Sequence, residues 1–73
     1  MNEFAKGYGH HRPTFTVPQF CDDHNISRTH FYELIKLGRG PRLLRVGRRV
    51  LITAEASADW RRAMELATDE AAQ

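Results

Sequence analysis

The sequence has only one cysteine, Cys21, among its 73 residues. A single thiol can form neither an internal disulfide nor a zinc site built from several cysteines, so we expect Cys21 to be a small buried hydrophobic residue on a helix. The chain also has no apolar stretch of membrane-spanning length, and its first residues lack the apolar core of a signal peptide. These absences predict a cytoplasmic protein that does not associate with a membrane.

Residue sets for catalysis are missing too. No Ser-His-Asp set, pair of carboxylates in a cleft or Cys-His pair can be assembled from the sequence. Gly38 and Gly40 lie in a predicted turn, whereas a phosphate-binding glycine loop connects a strand to a helix. We therefore expect a protein without enzyme activity, catalytic residues, a metal site or a cofactor.

Positive charge is concentrated in the middle of the chain. The net charge is only +2, but Glu33 is the single acid in a basic zone formed by Arg28, Lys36, Arg39, Arg42, Arg45, Arg48 and Arg49. A one-sided basic zone is typical of a nucleic-acid site. The alternative is a solvated basic face that keeps the protein in solution.

The first predicted helix runs from Val17 to about His24. Thr16 and Gln19 have the spacing of a capping box at its start, and Asn25 tolerates the left-handed turn that ends it. Its apolar face consists of Val17, Phe20 and Cys21. This face predicts a helix that packs on the core by one side.

A second helix follows after a tight turn. Ser27 is a good N-cap, and Gly38 suits the position just past the end. Phe31, Leu34 and Ile35 share one face and are expected to pack inward. Two helices joined in this way predict a helix-turn-helix, whose second helix enters the major groove of DNA. Its predicted DNA-binding residues are Ser27, Arg28, Thr29, His30, Tyr32 and Lys36.

A β-hairpin is predicted next, because apolar and β-branched runs at 42–46 and 49–52 flank Gly47 and Arg48. The residues expected to face inward are Leu44, Val46, Val50 and Ile52, with Leu43, Arg45, Arg49 and Leu51 on the outer face. A hairpin with arginines after a helix-turn-helix predicts a DNA-binding wing. Its contacts would be Arg45, Arg48 and Arg49. Secondary DNA-binding candidates outside the wing are Arg39 and Arg42 in the preceding turn and Arg12 in the N-terminal arm. The alternative is a stabilising hairpin with solubilising arginines.

Thr53 predicts the cap of a third helix, from Ala54 to about Ala67. A stripe formed by Ala56, Trp60, Ala63, Met64 and Ala67 predicts that this helix packs back on the rest, with Trp60 in the core. The predicted fold is mainly α with a small β-hairpin, a winged helix-turn-helix of three helices with the wing between the second and third. The expected organisation is a flexible N-terminal arm at 1–13, a DNA-binding domain at 14–67 and a frayed tail at 68–73.

From about Thr16 to Trp60 the sequence resembles a known family. The segment 26–38, with a Ser-Arg opening, a tyrosine in mid-helix and a Lys-x-Gly end, is similar to the turn and recognition helix of the excisionase and AlpA-type regulators of phages and integrative elements. These are small members of the MerR-like winged-helix group. The segment 41–50 is similar to their proline-led, arginine-bearing hairpin, and 58–60 is similar to their closing helix.

The resemblance implies that Arg28, Thr29 and Tyr32 act from the recognition helix, and that Arg48 and Arg49 act from the wing. It favours an excisionase, a recombination directionality factor that binds repeated sites in double-stranded DNA, bends the DNA and steers an integrase towards excision. A short module makes few phosphate contacts, so cooperative self-association on DNA is expected. Such a protein would work in the cytoplasm, on the nucleoid.

Two other functions remain open. A transcription activator or repressor of the AlpA type would use the same DNA-binding surface without a role in excision. A protein-interaction adaptor, from a different class, would dock a partner on the winged-helix surface, where exposed Leu43 and Leu51 would suit it.

Overall fold

The computed structural model describes residues 12–72, which form a mainly helical fold with a small antiparallel sheet. The elements are β1 (Thr14–Thr16), α1 (Val17–His24), α2 (Arg28–Lys36), β2 (Leu44–Val46), β3 (Arg49–Thr53) and α3 (Ala54–Ala72). The strand order in the sheet is β1-β3-β2. Of the predicted N-terminal arm, all but Arg12 and Pro13 lies outside the described residues.

The strand β1 is not predicted by the sequence. It pairs antiparallel with β3, with Phe15 opposite Ile52, and the carbonyl of Pro13 accepts a hydrogen bond from the N–H of Ala54 at 2.9 Å. Three residues are too few to establish an alternating pattern, although buried Phe15 between two threonines does alternate. The predicted two-stranded hairpin is therefore part of a three-stranded sheet.

Two threonines each end a strand and cap the following helix, with no loop between. The side-chain oxygen of Thr16 accepts from the N–H of Gln19 at 3.2 Å, and the Gln19 side chain accepts from the N–H of Thr16 at 2.9 Å. The side-chain oxygen of Thr53 accepts from the N–H of Ala56 at 2.9 Å. The predicted capping box of α1 and the predicted cap of α3 are both confirmed.

The core lies between the helices and one face of the sheet. Its buried hydrophobic members are Phe15, Val17, Phe20, Cys21, Phe31, Ile52 and Ala56. Phe20 of α1 and Phe31 of α2 are fully buried and meet edge to face, with ring centroids 5.6 Å apart. Burial of such a side chain stabilises the folded state by about 1.5–3 kcal/mol. The predicted inward face of α1 is confirmed. In α2, Phe31 is buried and Ile35 packs against the core as predicted, whereas Leu34 is only half-buried.

The register of the hairpin corrects the predicted faces of β2. Arg45 pairs with Val50 and Val46 pairs with Arg49, and directly paired residues lie on the same face. Leu44 and Val46 therefore share the outer face, where their side chains are 37% and 53% exposed. The prediction that they point inward was wrong. The two-residue turn pairs Val46 with Arg49, so Val46 shares a face with Arg49 and not with Val50. Leu43 packs against the core instead.

The third helix is longer than predicted and packs over less of its length. It continues beyond Ala67 to Ala72. Of its predicted apolar stripe, Ala56 is buried and Trp60 is half-buried against the core, whereas Ala63 and Ala67 are exposed. The prediction that the whole stripe packs was wrong, because the other elements cover only the first turns. Nowhere in residues 12–72 is a helix long and apolar enough to cross a membrane.

Candidate nucleic-acid interface

The helix α2 was predicted to enter the major groove, and hydrogen bonds fix both of its ends. The side-chain oxygen of Ser27 accepts from the N–H of His30 at 3.0 Å. Gly38 has φ +74° and donates its N–H to the carbonyl of Ile35 at 3.0 Å, while the following N–H donates to the carbonyl of Leu34 at 2.8 Å. These two bonds form a Schellman motif, so the predicted start and stop of α2 are confirmed.

The side of α2 that faces away from the core carries the predicted DNA-binding residues. Ser27, Arg28, Thr29, His30, Tyr32 and Lys36 are all exposed. Tyr32 is 56% exposed, and its ring meets the ring of buried Phe31 edge to face at 5.1 Å between centroids. The core thus limits the positions that the Tyr32 ring can take.

Arg28, Tyr32 and Lys36 are spaced four residues apart, so they form one row along α2. From the first to the last this row is about 12 Å long at 1.5 Å per residue. That length corresponds to roughly three base-pair steps of B-DNA. The row could reach about three neighbouring base pairs from within the major groove, which admits an α-helix.

One acid lies on the same helix. The Glu33 carboxylate is 3.8 Å from Nδ1 of His30, and both side chains are more than half exposed. Exposed pairs of this kind contribute little to stability. Glu33 instead limits where a phosphate can approach, because it repels anions close to His30.

The arginines of the hairpin do not share one face. Arg45 pairs with Val50 and therefore lies on the side of the sheet that bears the helices, whereas Arg49 lies on the opposite side. The prediction that both lie on the outer face was wrong for Arg45. Arg48 follows Gly47 in the turn, and Gly47 has φ +60°, which is typical of the first position of a type II′ turn. Arg45, Arg48 and Arg49 are all exposed.

The secondary candidates on the segment between α2 and β2 are tied to α3. Arg42 donates to the carboxylate of Asp59 at 3.0 Å, and Arg62 donates to the other oxygen of the same carboxylate at 3.2 Å. The backbone carbonyl of Arg39 accepts from the indole N–H of Trp60 at 2.8 Å. Sequence reasoning missed these roles of Asp59 and Trp60, because the partners are distant along the chain. Arg12, the third secondary candidate, is exposed.

His24 has a structural role that also brings in α3. Its ring stacks on Phe20 with centroids 4.1 Å apart, and its Nδ1 lies 2.8 Å from the carbonyl of Phe20. Since Nδ1 must donate to that carbonyl, Nε2 is the acceptor for the guanidinium of Arg61 at 3.2 Å. This pairing requires a neutral imidazole and engages Arg61 at the C-terminal end of α1.

The environment of Cys21 is set by its burial and by two neighbouring charges. Burial raises the pKa of the Cys21 thiol, an effect that the charge of Arg28 opposes and that of Asp22 reinforces. Cys21 is 3% exposed, which confirms the prediction of a buried residue. Among residues 12–72, no three histidine, cysteine or acidic side chains lie where they could hold a metal ion.

Comparison of the chain with protein families, curated proteins and solved structures finds no match.

Proposed function

We propose that this chain is a winged helix-turn-helix protein that binds double-stranded DNA in a sequence-specific manner and has no catalytic activity of its own. The observation that carries the proposal is the row of Arg28, Tyr32 and Lys36 on the exposed side of α2, a helix held at both ends. A fixed helix with such a row suits base recognition, because its backbone is already ordered before DNA binds.

In this proposal α2 lies in the major groove and the hairpin contacts the backbone beside it. Arg28 can donate two hydrogen bonds to a guanine edge, and Thr29 can contact a thymine methyl group. Arg48, at the turn of the hairpin, reaches phosphates, which position the protein without reading sequence. Arg45 lies on the side of the sheet that bears the helices, so it is the better placed of the two flanking arginines to join the surface of α2.

The proposed role is that of an excisionase, supported by the resemblance of the segments 26–38 and 41–50 to that family. Several copies would bind neighbouring repeats cooperatively, bend the DNA and steer an integrase towards excision, on the nucleoid in the cytoplasm. Cooperativity is physically reasonable, because one short helix and one hairpin neutralise few phosphates. An AlpA-type activator or repressor would use the same surface, and an excision assay with purified integrase separates the two roles.

Salt dependence and paired arginine variants test DNA binding directly. Fluorescence anisotropy should show an affinity for the repeats flanking the protein's own gene that falls steeply with added salt, as counterion release requires. Arg28→Ala should cost about 1–3 kcal/mol at particular base pairs and relax specificity there, whereas Arg48→Ala should weaken binding to all sequences alike. An affinity indifferent to salt would refute the proposal.

Arg45 and Arg49 provide a matched control within the hairpin, because the same residue type lies on opposite faces. Arg45→Ala should reduce the slope of log affinity against log salt by about 1, as expected for one lost phosphate contact. Arg49→Ala should change that slope less. Equal slopes for the two variants would show that the face of the hairpin does not matter, and the proposed docking of the wing would be wrong.

A second candidate is the protein-interaction adaptor. The outer face of the sheet favours it, because Leu44 and Val46 are exposed there beside half-buried Leu51. Of the predicted pair, Leu51 stays on this face, whereas Leu43 packs against the core and is replaced by Leu44 and Val46. Leu44→Ser should weaken binding of a partner protein to this face if the adaptor function is real, and partner binding that is unaffected by Leu44→Ser would refute it.

A further inference from the structure

The segment that joins α2 to β2, here called the connector (residues 37–43), is largely exposed but packs closely at Gly40 and Pro41. At Gly40 the chain approaches α2 so nearly that an added Cβ would lie 2.5 Å from Cδ1 of Ile35. The next residue, Pro41, is buried. The connector is therefore held against α2 shortly before it leads into the hairpin.

The first turns of α3 hold the connector from the other side. The indole N–H of Trp60 donates to the carbonyl of Arg39 at 2.8 Å. The Trp60 ring is itself held by aromatic contacts, with centroids 5.3 Å from Phe20 and 5.5 Å from His24. Since both of those residues belong to α1, the Trp60 side chain adds a link between the connector and the helical core.

Asp59 adds a second tie in the adjoining position. Its carboxylate accepts from Arg42 of the connector at 3.0 Å and from Arg62 of its own helix at 3.2 Å. Both arginine side chains are 67% exposed, so this tie is weak by itself. It acts next to the hydrogen bond of Trp60 and directs Arg42 towards α3.

We infer that Trp60, assisted by Asp59, is a positioning residue that sets the angle between α2 and the hairpin without touching DNA. The consequence for DNA rests on the proposed function, but the geometric claim does not. If the tie to Arg39 is lost, the connector loses one of its restraints and can shift near Arg39, which changes how α2 and the hairpin together present their surface. Contacts to bases then weaken more than contacts to phosphates, because base contacts depend on exact placement.

The experiment compares the full chain with three variants by NMR. Trp60→Phe keeps an aromatic ring against Phe20 but removes the N–H donor, and Asp59→Asn removes the charge that holds Arg42. Arg62→Gln is the matched control, because it removes the partner of Asp59 that lies outside the connector. Residual dipolar couplings of β2, β3 and α2 report the orientation of the hairpin, and denaturation reports whether each variant remains folded.

The unaltered protein gives the first result. Trp60 is the only tryptophan, so its indole proton has a unique resonance, and we expect that proton to exchange with solvent slower than in a free indole. Trp60→Phe should rotate the hairpin relative to α2, Asp59→Asn should do so less, and Arg62→Gln should not. Indole exchange at the free rate, or an unchanged hairpin orientation in Trp60→Phe, would overturn the inference.

DNA binding gives a second, independent result. Trp60→Phe should lower affinity for the specific site by about 3- to 10-fold, the equivalent of one net hydrogen bond, with a smaller loss on random DNA and the same salt dependence. An equal loss on both DNAs would refute a positioning role in recognition. If the unaltered protein binds no DNA but the hairpin still rotates in Trp60→Phe, the proposed function fails and the positioning role of Trp60 stands.

Discussion

Substitution of Gly40 by alanine gives a direct test of the packing between the connector and α2. The added Cβ would lie 2.5 Å from Cδ1 and 3.2 Å from Cγ1 of Ile35, and 3.3 Å from the backbone nitrogen of that residue. The contact with Cδ1 is the shortest of the three, and relieving it would displace the Ile35 side chain from its packing against the core. Overpacking of this kind costs roughly 1–3 kcal/mol, so Gly40→Ala should lower the free energy of unfolding by about that amount.

The matched control is Gly38→Ala. At Gly38 nothing lies within 4 Å of an added Cβ, but φ is +74°, so alanine there introduces backbone strain of about 1–2 kcal/mol and no clash. The substitution Ile35→Val, which removes Cδ1, distinguishes the clash at position 40 from the backbone strain at position 38. In that background the cost of Gly40→Ala should shrink, whereas the cost of Gly38→Ala should stay the same.

Urea denaturation followed by circular dichroism measures all four free energies that this double-mutant cycle requires for each glycine. Residues in contact show coupling energies of 0.5 kcal/mol or more, whereas independent sites are additive within about 0.5 kcal/mol. A cost of Gly40→Ala that is the same with isoleucine and with valine at position 35 would refute the close approach of the connector to α2.

Two further predictions concern buried polar groups. The hydroxyl of Ser57 is buried and has no hydrogen-bond partner in the described part of the chain. Ser57→Ala should therefore leave the free energy of unfolding unchanged or raise it by up to about 1 kcal/mol. A clearly lower free energy of unfolding in urea denaturation would mean that the hydroxyl has a partner. Cys21 has a raised pKa in the folded state, so its contribution to stability is complete below the thiol pKa of the unfolded chain and falls as the pH rises through it. The difference in free energy of unfolding between the natural chain and Cys21→Ser should therefore decrease above about pH 9, and a difference that stays constant with pH would contradict the burial of the thiol.

The features that could be predicted from the sequence are those set by local chemistry. The caps at Thr16, Ser27 and Thr53 depend on a side chain and a backbone N–H three residues away, and all three are present. The left-handed residues Asn25 and Gly38 were likewise predictable, because few residue types accept positive φ. These signals were enough to place all three helix starts.

What could not be predicted depends on the arrangement of distant segments. The faces of the hairpin are an exception, because the predicted turn at Gly47 and Arg48 already places Val46 opposite Arg49, and Leu44 and Val46 were assigned to the wrong side in spite of it. The strand β1 exists only through pairing with β3, which lies far along the chain. The ties from Trp60 to Arg39 and from Asp59 to Arg42 are non-local for the same reason.

The candidate interface was predicted in composition and not in geometry. Every residue assigned to it is exposed, which is a necessary condition for contact with DNA. A pattern of charges does not predict that Arg45 and Arg49 lie on opposite faces, because residues close in sequence need not share a side of a sheet. DNA contact by these residues stays a prediction.

The junction at Thr53 has a consequence for how this chain tolerates insertions. Because β3 ends and α3 begins at successive residues, no loop lies between them that could accommodate an extra residue. One residue inserted after Thr53 would turn the whole of α3 by about 100° about its axis, carrying the Trp60 indole away from the carbonyl it contacts. A change of length in the turn at Gly47 would leave that helix where it is. Length variants at these two places should thus differ sharply in whether they fold.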